Sequence, residues 1–212
     1  MKRVLLIGDS IRMFCQGEVI KQLGEEFTVA APDENCRFSA YVLNSLRHWL
    51  PQFGPVDVIQ FNAGLWDTAI LYPEDGCFIG LKEYVSNMTK ILRELKKSGA
   101  KLIFCTPTPV SDKKANLPGP MPPAARNEDI MRYNQAVLEA FAGEDLVIND
   151  LFSLVYPRRE ELLLDDMVHP NETGVKLIGG AMAQVIRQVA EHADNQAQNA
   201  SDYIKLEEKV IQ

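Results

Sequence analysis

Short apolar runs alternate with longer amphipathic segments over residues 2–192. The apolar runs are rich in β-branched residues and end at polar residues, which is typical of strands buried on both faces of a sheet. Five strands are predicted, at residues 4–7, 27–31, 56–61, 101–106 and 146–148. The periodic segments predict helices at residues 11–23, 39–50, 81–97, 130–141 and 173–192.

This alternation predicts a parallel sheet with helices on both faces, because crossovers between parallel strands are right-handed. We therefore predict one domain over residues 1–192, a three-layer α/β/α sandwich around a flavodoxin-like, five-stranded parallel sheet. Residues 107–126 contain six of the twelve prolines, show no periodicity and follow the fourth strand. We expect them to form a loop over or beside the mouth of a ligand crevice.

Residues 193–212 differ in composition from the helix before them. Residues 194–201 are polar and are predicted to form a linker, and residues 203–211 have the pattern of a short amphipathic helix. Three alternatives stay open for this tail: it packs against the domain, it joins two copies in a homo-oligomer, or it stays mobile.

Charge and composition exclude several classes of partner. The 212 residues include 22 basic and 29 acidic side chains, a formal net charge of −7, without a basic block, so neither nucleic acid nor a membrane is expected as a partner. The four cysteines form no Cys-x-x-Cys pair, which favours reduced thiols. The first apolar run is too short for a signal peptide, so a cytoplasmic protein is expected. The sequence has only three histidines, at scattered positions, so we expect no metal site. It has no Gly-x-Gly-x-x-Gly or Walker loop, so we expect no cofactor.

The first strand ends at Gly8-Asp9-Ser10, where the first helix begins. Ligands of open parallel sheets bind outside the carboxyl ends of the strands, so we expect Ser10 at the mouth of that crevice. A helix N-terminus offers free N–H groups and a positive dipole end, which suit a serine that carries a developing oxyanion. The alternative interpretation is that Asp9 and Ser10 only cap the helix.

Asp166 and His169 lie in the loop before the last helix, on the side of the sheet where Ser10 is expected. A histidine close to a serine can take its proton, and a carboxylate three residues earlier can hold the imidazole tautomer. Asp-x-x-His is a short pattern that also arises by chance or in capping. His48 and His192 are interpreted as structural or surface residues.

Taken together, these motifs resemble the SGNH (GDSL-type) hydrolases over residues 2–190. Gly8-Asp9-Ser10 stands near the amino terminus, an Asn-x-Gly segment follows the third strand, and Asp166-x-x-His169 stands near the carboxyl terminus. The resemblance implies that Ser10 is the nucleophile, His169 the base and Asp166 the acid that orients it. Asp165 fits the pattern less well because it is one residue too far away.

The chain departs from this family at the oxyanion hole. The family uses the nucleophile's own N–H, a glycine N–H after the second strand and an asparagine in a Gly-x-Asn-Asp motif. No glycine follows the second strand here, so the N–H of Cys36 or Arg37 is the expected substitute. Trp66 occupies the place of the asparagine, which makes Asn62 the expected amide donor and Asn35 the next candidate.

Three residues are expected to contact substrate: Asp9, Arg37 and Trp66. The Trp66 ring offers an aromatic face for a sugar or an apolar leaving group, and Arg12 and Arg37 offer charge for an anionic substrate. The alternatives are that Asn62 belongs to a turn, that Trp66 is packed in the core and that the arginines are solvated.

The resemblance implies a serine ester hydrolase that acts on a small molecule and removes a small acyl group. An O-acetyl group on a carbohydrate is favoured, and a simple or lipid ester, as in a lipase or thioesterase, comes next. The alternative from another class is a non-catalytic ligand-binding module that kept the fold, and the missing glycine and displaced asparagine motivate it.

Overall fold

The computed structural model describes residues 1–72, 74–113 and 125–210, and for residues 193–210 it describes the backbone alone. The strands are β1 (Lys2–Ile7), β2 (Phe27–Ala30), β3 (Val58–Phe61), β4 (Lys101–Cys105) and β5 (Val147–Asn149). They form one parallel sheet in the order β2-β1-β3-β4-β5. This is the flavodoxin-like order, and the predicted fold class is confirmed.

Helices cover both faces of the sheet. The α-helices of the described residues are α1 (Ser10–Leu23), α2 (Ser39–Phe53), α3 (Leu81–Lys96), α4 (Asn127–Ala140), α5 (Leu151–Val155), α6 (Arg159–Leu162) and α7 (Glu172–Val210). None of the helices in the described part of the chain combines the length and the apolar character that a membrane span requires.

The alternation of side chains along β1 shows how the two cores are separated. Val4 and Leu6 belong to a core with α1, α5 and α7, whereas Leu5 and Ile7 belong to a core with α2, α3 and α4. All four side chains are almost completely buried. A strand covered on both faces needs apolar residues at every position, which explains the uninterrupted apolar run in the sequence.

The strand order reverses direction between β1 and β3. From the end of β1 the chain enters α1 on one face of the sheet, and after β3 it leads to α3 on the other face. The Asn62 N–H donates to the Ile7 carbonyl at 3.0 Å and ties the two strand ends together. The crevice of such a switch point is the usual ligand site of this architecture.

Two helices end later than the sequence predicts. Helix α2 continues past Pro51 to Phe53, because the chain turns only at Gly54, whose φ of 64° suits a glycine. Helix α7 continues to Val210 through the segment predicted as a linker, which contains neither glycine nor proline to end it. A role of this tail in joining two copies stays a prediction.

Candidate active site

Three polar side chains from opposite ends of the chain meet at the switch point. Ser10 is the first residue of α1, and its Oγ lies 2.8 Å from Nε2 of His169. The other ring nitrogen, Nδ1, lies 2.7 Å from Oδ2 of Asp166. An ionised carboxylate only accepts hydrogen bonds, so Nδ1 carries the proton and Nε2 accepts from the Ser10 hydroxyl.

The backbone of its own loop holds the Asp166 carboxylate. Oδ1 accepts the N–H groups of Val168 at 3.0 Å and of His169 at 2.9 Å. Burial raises the pKa of Asp166, but these two donors and the imidazole outweigh it, so that the pKa lies below its usual value. Asp166 therefore stays charged opposite the imidazole. The neighbouring Asp165 is exposed.

A tight turn fixes the loop that carries Asp166 and His169. Met167 has a φ of 69°, a left-handed conformation that is costly for a side chain with a Cβ. The Met167 N–H donates to the Leu164 carbonyl at 2.9 Å, and its carbonyl accepts the Ser111 N–H at 2.8 Å. The second bond attaches the start of the predicted 107–126 loop to the site. Residues 114–124 of that loop lie outside the described residues.

An aromatic ring that the sequence reasoning missed lies against the histidine. Phe14 stacks on the His169 imidazole, with ring centroids 4.7 Å apart and an angle of 13° between the planes. Phe14 is four residues after Ser10 in α1, so both residues lie on the same face of the helix. This spacing was the available signal in the sequence.

Asp9 is completely buried, so it cannot contact substrate, contrary to the sequence prediction. Its Oδ1 accepts the Ile11 N–H at 3.0 Å and thereby caps α1. Its Oδ2 accepts a hydrogen bond from Nδ2 of Asn62 at 3.3 Å. Burial raises the pKa of Asp9 against these two donors and the positive charge of Arg12.

Asn62 lies directly above the backbone of Gly8. A Cβ on Gly8 would collide with the Asn62 side-chain oxygen and crowd the Cβ of Arg12. The glycine of the Gly-Asp-Ser motif is therefore needed for the close approach of the β1 and β3 ends. The hydrogen bond to Asp9 places the Asn62 amide beside the residue that precedes Ser10.

The two backbone donors predicted after β2 are already engaged. The Cys36 N–H donates to the Gly8 carbonyl at 3.2 Å, and the Arg37 N–H donates to Oδ1 of Asn35 at 2.9 Å. The Cys36 N–H is therefore not free to hold an oxyanion, contrary to the sequence prediction. The Arg37 guanidinium lies 5.0 Å from the centre of the Tyr41 ring and stacks over it.

Arg12 is buried and serves the fold rather than an anionic substrate. Its guanidinium donates to the Glu34 carbonyl at 2.6 Å, to the Gly8 carbonyl at 3.4 Å and to Oε1 of Gln16 at 2.8 Å. These bonds tie the loop before α2 to the end of β1. A guanidinium with its donors used in this way has little left for a ligand.

A small cavity opens beside Ser10 and His169. Its volume is about 70 Å³, and its remaining lining is apolar: Leu65, Trp66, Ala69, Val110, Ala125 and Val168. Trp66 is half-buried and forms part of this wall, and its contact with substrate stays a prediction. Val110 and Ala125 come from the described parts of the 107–126 loop, so this loop borders the cavity.

Asp67, the last residue of Gly-Leu-Trp-Asp, is a second residue that the sequence reasoning missed. It is completely buried, and its carboxylate accepts the Ser39 N–H at 3.0 Å and the Ser39 hydroxyl at 2.5 Å. Burial raises its pKa to about 6, against the Ser39 donors. Asp67 thereby anchors the start of α2 next to Trp66. Its place in the motif was the available signal.

Within the described residues, no group of three or more His, Cys, Asp or Glu side chains is arranged to hold a metal ion. The polar groups around Ser10 are instead arranged for proton transfer. Serine hydroxyl, imidazole and carboxylate form one chain of hydrogen bonds that starts at the cavity and ends at a backbone-held anion.

Neither a family model nor a curated protein sequence matches the chain. Solved structures do match its fold. A lipase/acylhydrolase from Enterococcus faecalis is 20% identical, with a TM-score of 0.72 over 89% of this chain and 96% of that one. An acetylxylan esterase from Geobacillus stearothermophilus is 16% identical, with a TM-score of 0.66 over 89% and 94% of the two chains.

A structure described as a GDSL-like lipase, from Parabacteroides merdae, is 13% identical, with a TM-score of 0.66 over 85% of this chain and 93% of that one. The chain therefore has the fold of the SGNH, or GDSL-type, hydrolases. This confirms the fold that the sequence motifs imply.

Proposed function

We propose that this protein is a serine ester hydrolase. The proposal rests on one observation, the continuous contact from Ser10 Oγ to His169 Nε2 at 2.8 Å and from Nδ1 to Asp166 Oδ2 at 2.7 Å. A serine that only caps a helix has no need of an imidazole that a carboxylate orients. The same three groups in this order are the arrangement that activates a serine for acyl transfer.

Acyl transfer would proceed in two steps. Ser10 Oγ attacks the ester carbonyl and its proton moves to His169 Nε2, while Asp166 stabilises the imidazolium. The tetrahedral intermediate collapses, and the alcohol leaves with the proton from Nε2, so that an acyl-Ser10 ester remains. A water molecule then gives its proton to Nε2 and attacks this ester, which releases the acid and restores the hydroxyl.

We propose that two donors form the oxyanion hole. The Ser10 N–H is at the first position of α1, where the backbone N–H has no acceptor within the helix. The Asn62 amide carries two hydrogens, and its bond to Asp9 uses one of them. The second remains for the oxygen of the intermediate. The positive end of the α1 dipole also stabilises a negatively charged oxygen beside Ser10.

The cavity beside Ser10 favours a small, uncharged acyl group. A volume of about 70 Å³ suits a short chain such as acetyl, and the apolar lining would leave a charged group without a partner. A similar fold occurs in an acetylxylan esterase, which favours an acetylated carbohydrate as the substrate here. In that case Trp66 would offer its ring to the sugar.

Hydrolysis of a series of p-nitrophenyl esters, followed by acetylated xylo-oligosaccharides, tests this proposal. We expect the highest kcat/KM with acetate, a decline with chain length, and loss of turnover in Ser10→Ala. Ser86→Ala, on the exposed side of α3, is the matched control and should keep wild-type activity. Equal hydrolysis by wild type and Ser10→Ala would refute the hydrolase proposal.

A non-catalytic binding module is the second candidate, because the backbone donors after β2 are engaged. It differs from the hydrolase in one respect that can be measured. A binding module would hold acetylated oligosaccharides in equilibrium dialysis and release them unchanged, whereas the hydrolase would release acetate from them.

A further inference from the structure

Phe14 occupies a position that core packing does not explain. Helix α1 turns Ile11, Cys15 and Val19 into the core, whereas Phe14 lies outside this apolar side and is 45% exposed. Its ring nevertheless lies parallel to the His169 imidazole at a centroid distance of 4.7 Å. Phe14 is therefore an exposed aromatic residue that stacks on an imidazole of the candidate active site. Core packing does not explain this arrangement, so it points to a function.

The imidazole has its polar partners in the plane of the ring. Ser10 lies at Nε2 and Asp166 at Nδ1, so neither of them covers a face of the ring. Phe14 covers one face. When His169 takes the Ser10 proton it becomes a cation, and the negative face of an aromatic ring attracts a cation within about 6 Å of its centre.

We propose that Phe14 is a positioning residue for His169, which fixes the plane of the imidazole and stabilises the imidazolium that forms during acyl transfer. The inference rests on the proposed hydrolase function. Two carboxylates also act on this ring, Asp166 directly and the buried Asp9 through its charge. Both remain in place when Phe14 is replaced, so a difference between variants reports on the ring of Phe14.

Three variants separate the effect of the aromatic ring of Phe14 from the effect of the size of its side chain. Phe14→Leu keeps an apolar side chain and removes the π face, and Phe14→Tyr keeps the ring. Met13→Leu, at the neighbouring exposed position of α1, is the matched control. If the ring only shielded the imidazole from water, Phe14→Leu would preserve that effect.

We expect kcat/KM on p-nitrophenyl acetate to fall about two- to fivefold in Phe14→Leu. The loss should lie in kcat with KM little changed, because the imidazolium that forms during turnover loses stabilisation. Phe14→Tyr and Met13→Leu should match the wild type. Wild-type kinetics in Phe14→Leu, or a loss confined to KM, would overturn the inference.

NMR spectra of His169 in the Ser10→Ala background test the stack without any turnover. With Phe14 present, the imidazole protons should resonate upfield of their positions in Phe14→Leu, because the stacked ring shields them. Identical signals in the two proteins would overturn the inference even if the enzyme hydrolyses esters. If Ser10→Ala retains wild-type turnover, the hydrolase proposal fails while the NMR comparison still reports on the stack.

Discussion

At the scale of single residues, each group of the site is held by its own local structure. Helix α1 fixes Ser10 at its first position, and the turn around Met167 aims two backbone N–H groups at Asp166. His169 is held between them by hydrogen bonds at both nitrogens and by the Phe14 ring. The contacts within the chain itself therefore set this geometry.

Ser10→Ala and His169→Ala should each abolish esterase turnover, and the double variant should be hardly worse than either. Nucleophile and base act as one unit, so that their losses do not add. Asp166→Asn should leave a slower enzyme because it disturbs the imidazole tautomer, whereas the exposed Asp165→Asn should change little. Steady-state kinetics on one chromogenic ester measures all five proteins. Additive losses in the double variant would contradict the coupled role.

Asn62→Ala should lower kcat about a hundredfold at nearly unchanged KM, because a donor that meets charge only in the transition state contributes about 3 kcal/mol there. Asn35→Ala is the comparison, since the Asn35 side chain accepts a hydrogen bond from Arg37 instead of donating one toward Ser10. Asn62→Ala also loses the hydrogen bond to Asp9, so the thermal unfolding of both variants is measured to detect any loss of stability. A larger kinetic loss in Asn35→Ala would move the donor role to that residue.

At the scale of elements, buried polar anchors set how α2 meets the sheet. The Asp67 carboxylate receives the N–H and the hydroxyl of Ser39 at the start of the helix, and Asn87 of α3 donates to the same hydroxyl at 3.1 Å. Arg12 ties the preceding loop to the end of β1. These contacts connect the segment that carries Trp66 with α2, and the loop before α2 with the end of β1 next to Ser10.

The buried Asp67 predicts a dependence of stability on pH. Its pKa is about 6 in the folded chain against an ordinary 3.8, so the folded state binds more protons between these values. Its contribution to the free energy of unfolding is complete below pH 4 and is lost as pH rises through 6, by an amount on the order of 3 kcal/mol.

Urea unfolding of wild type and Asp67→Asn at pH 4, 5.5 and 7 measures this contribution, because the amide does not titrate and the groups that do not interact with Asp67 cancel in the difference. The stability of the wild type relative to the variant should fall as pH rises. A difference that stays constant or grows with pH would show that Asp67 titrates normally.

The sequence predicts those elements whose pattern depends on local structure. The apolar run of β1 and the periodic face of α3 are visible because burial acts on every turn or pleat. The end of α7 was misjudged because its polar segment contains no glycine or proline. The end of α2 was misjudged because Pro51 does not stop the helix, which continues to Phe53 before Gly54. Cys36 illustrates what the sequence cannot show about the site. A backbone N–H looks the same in any sequence, and only the fold shows that Gly8 already accepts it. Phe14 and Asp67 were missed because an exposed aromatic residue and a buried carboxylate gain their roles from distant partners.

At the scale of the whole molecule, the reversal of strand order between β1 and β3 creates the site. It brings the ends of these two strands together, while the loop before α7 closes over them from the far end of the chain. The start of the 107–126 loop is bound to that same loop through Ser111 and Met167. Hydrogen bonds therefore join the parts of the chain that supply the polar groups and the described lining of the cavity.

Labelling with a fluorophosphonate tests the central claim most directly, because the probe reacts far faster with an activated serine hydroxyl than with an ordinary one. We predict a single adduct by intact-mass measurement, located at Ser10 by peptide mapping, absent in Ser10→Ala and at least a hundredfold slower in His169→Ala, as about 3 kcal/mol of lost activation implies. Wild-type protein that stays unlabelled, or that is labelled at another serine at the same rate in Ser10→Ala, would contradict the account.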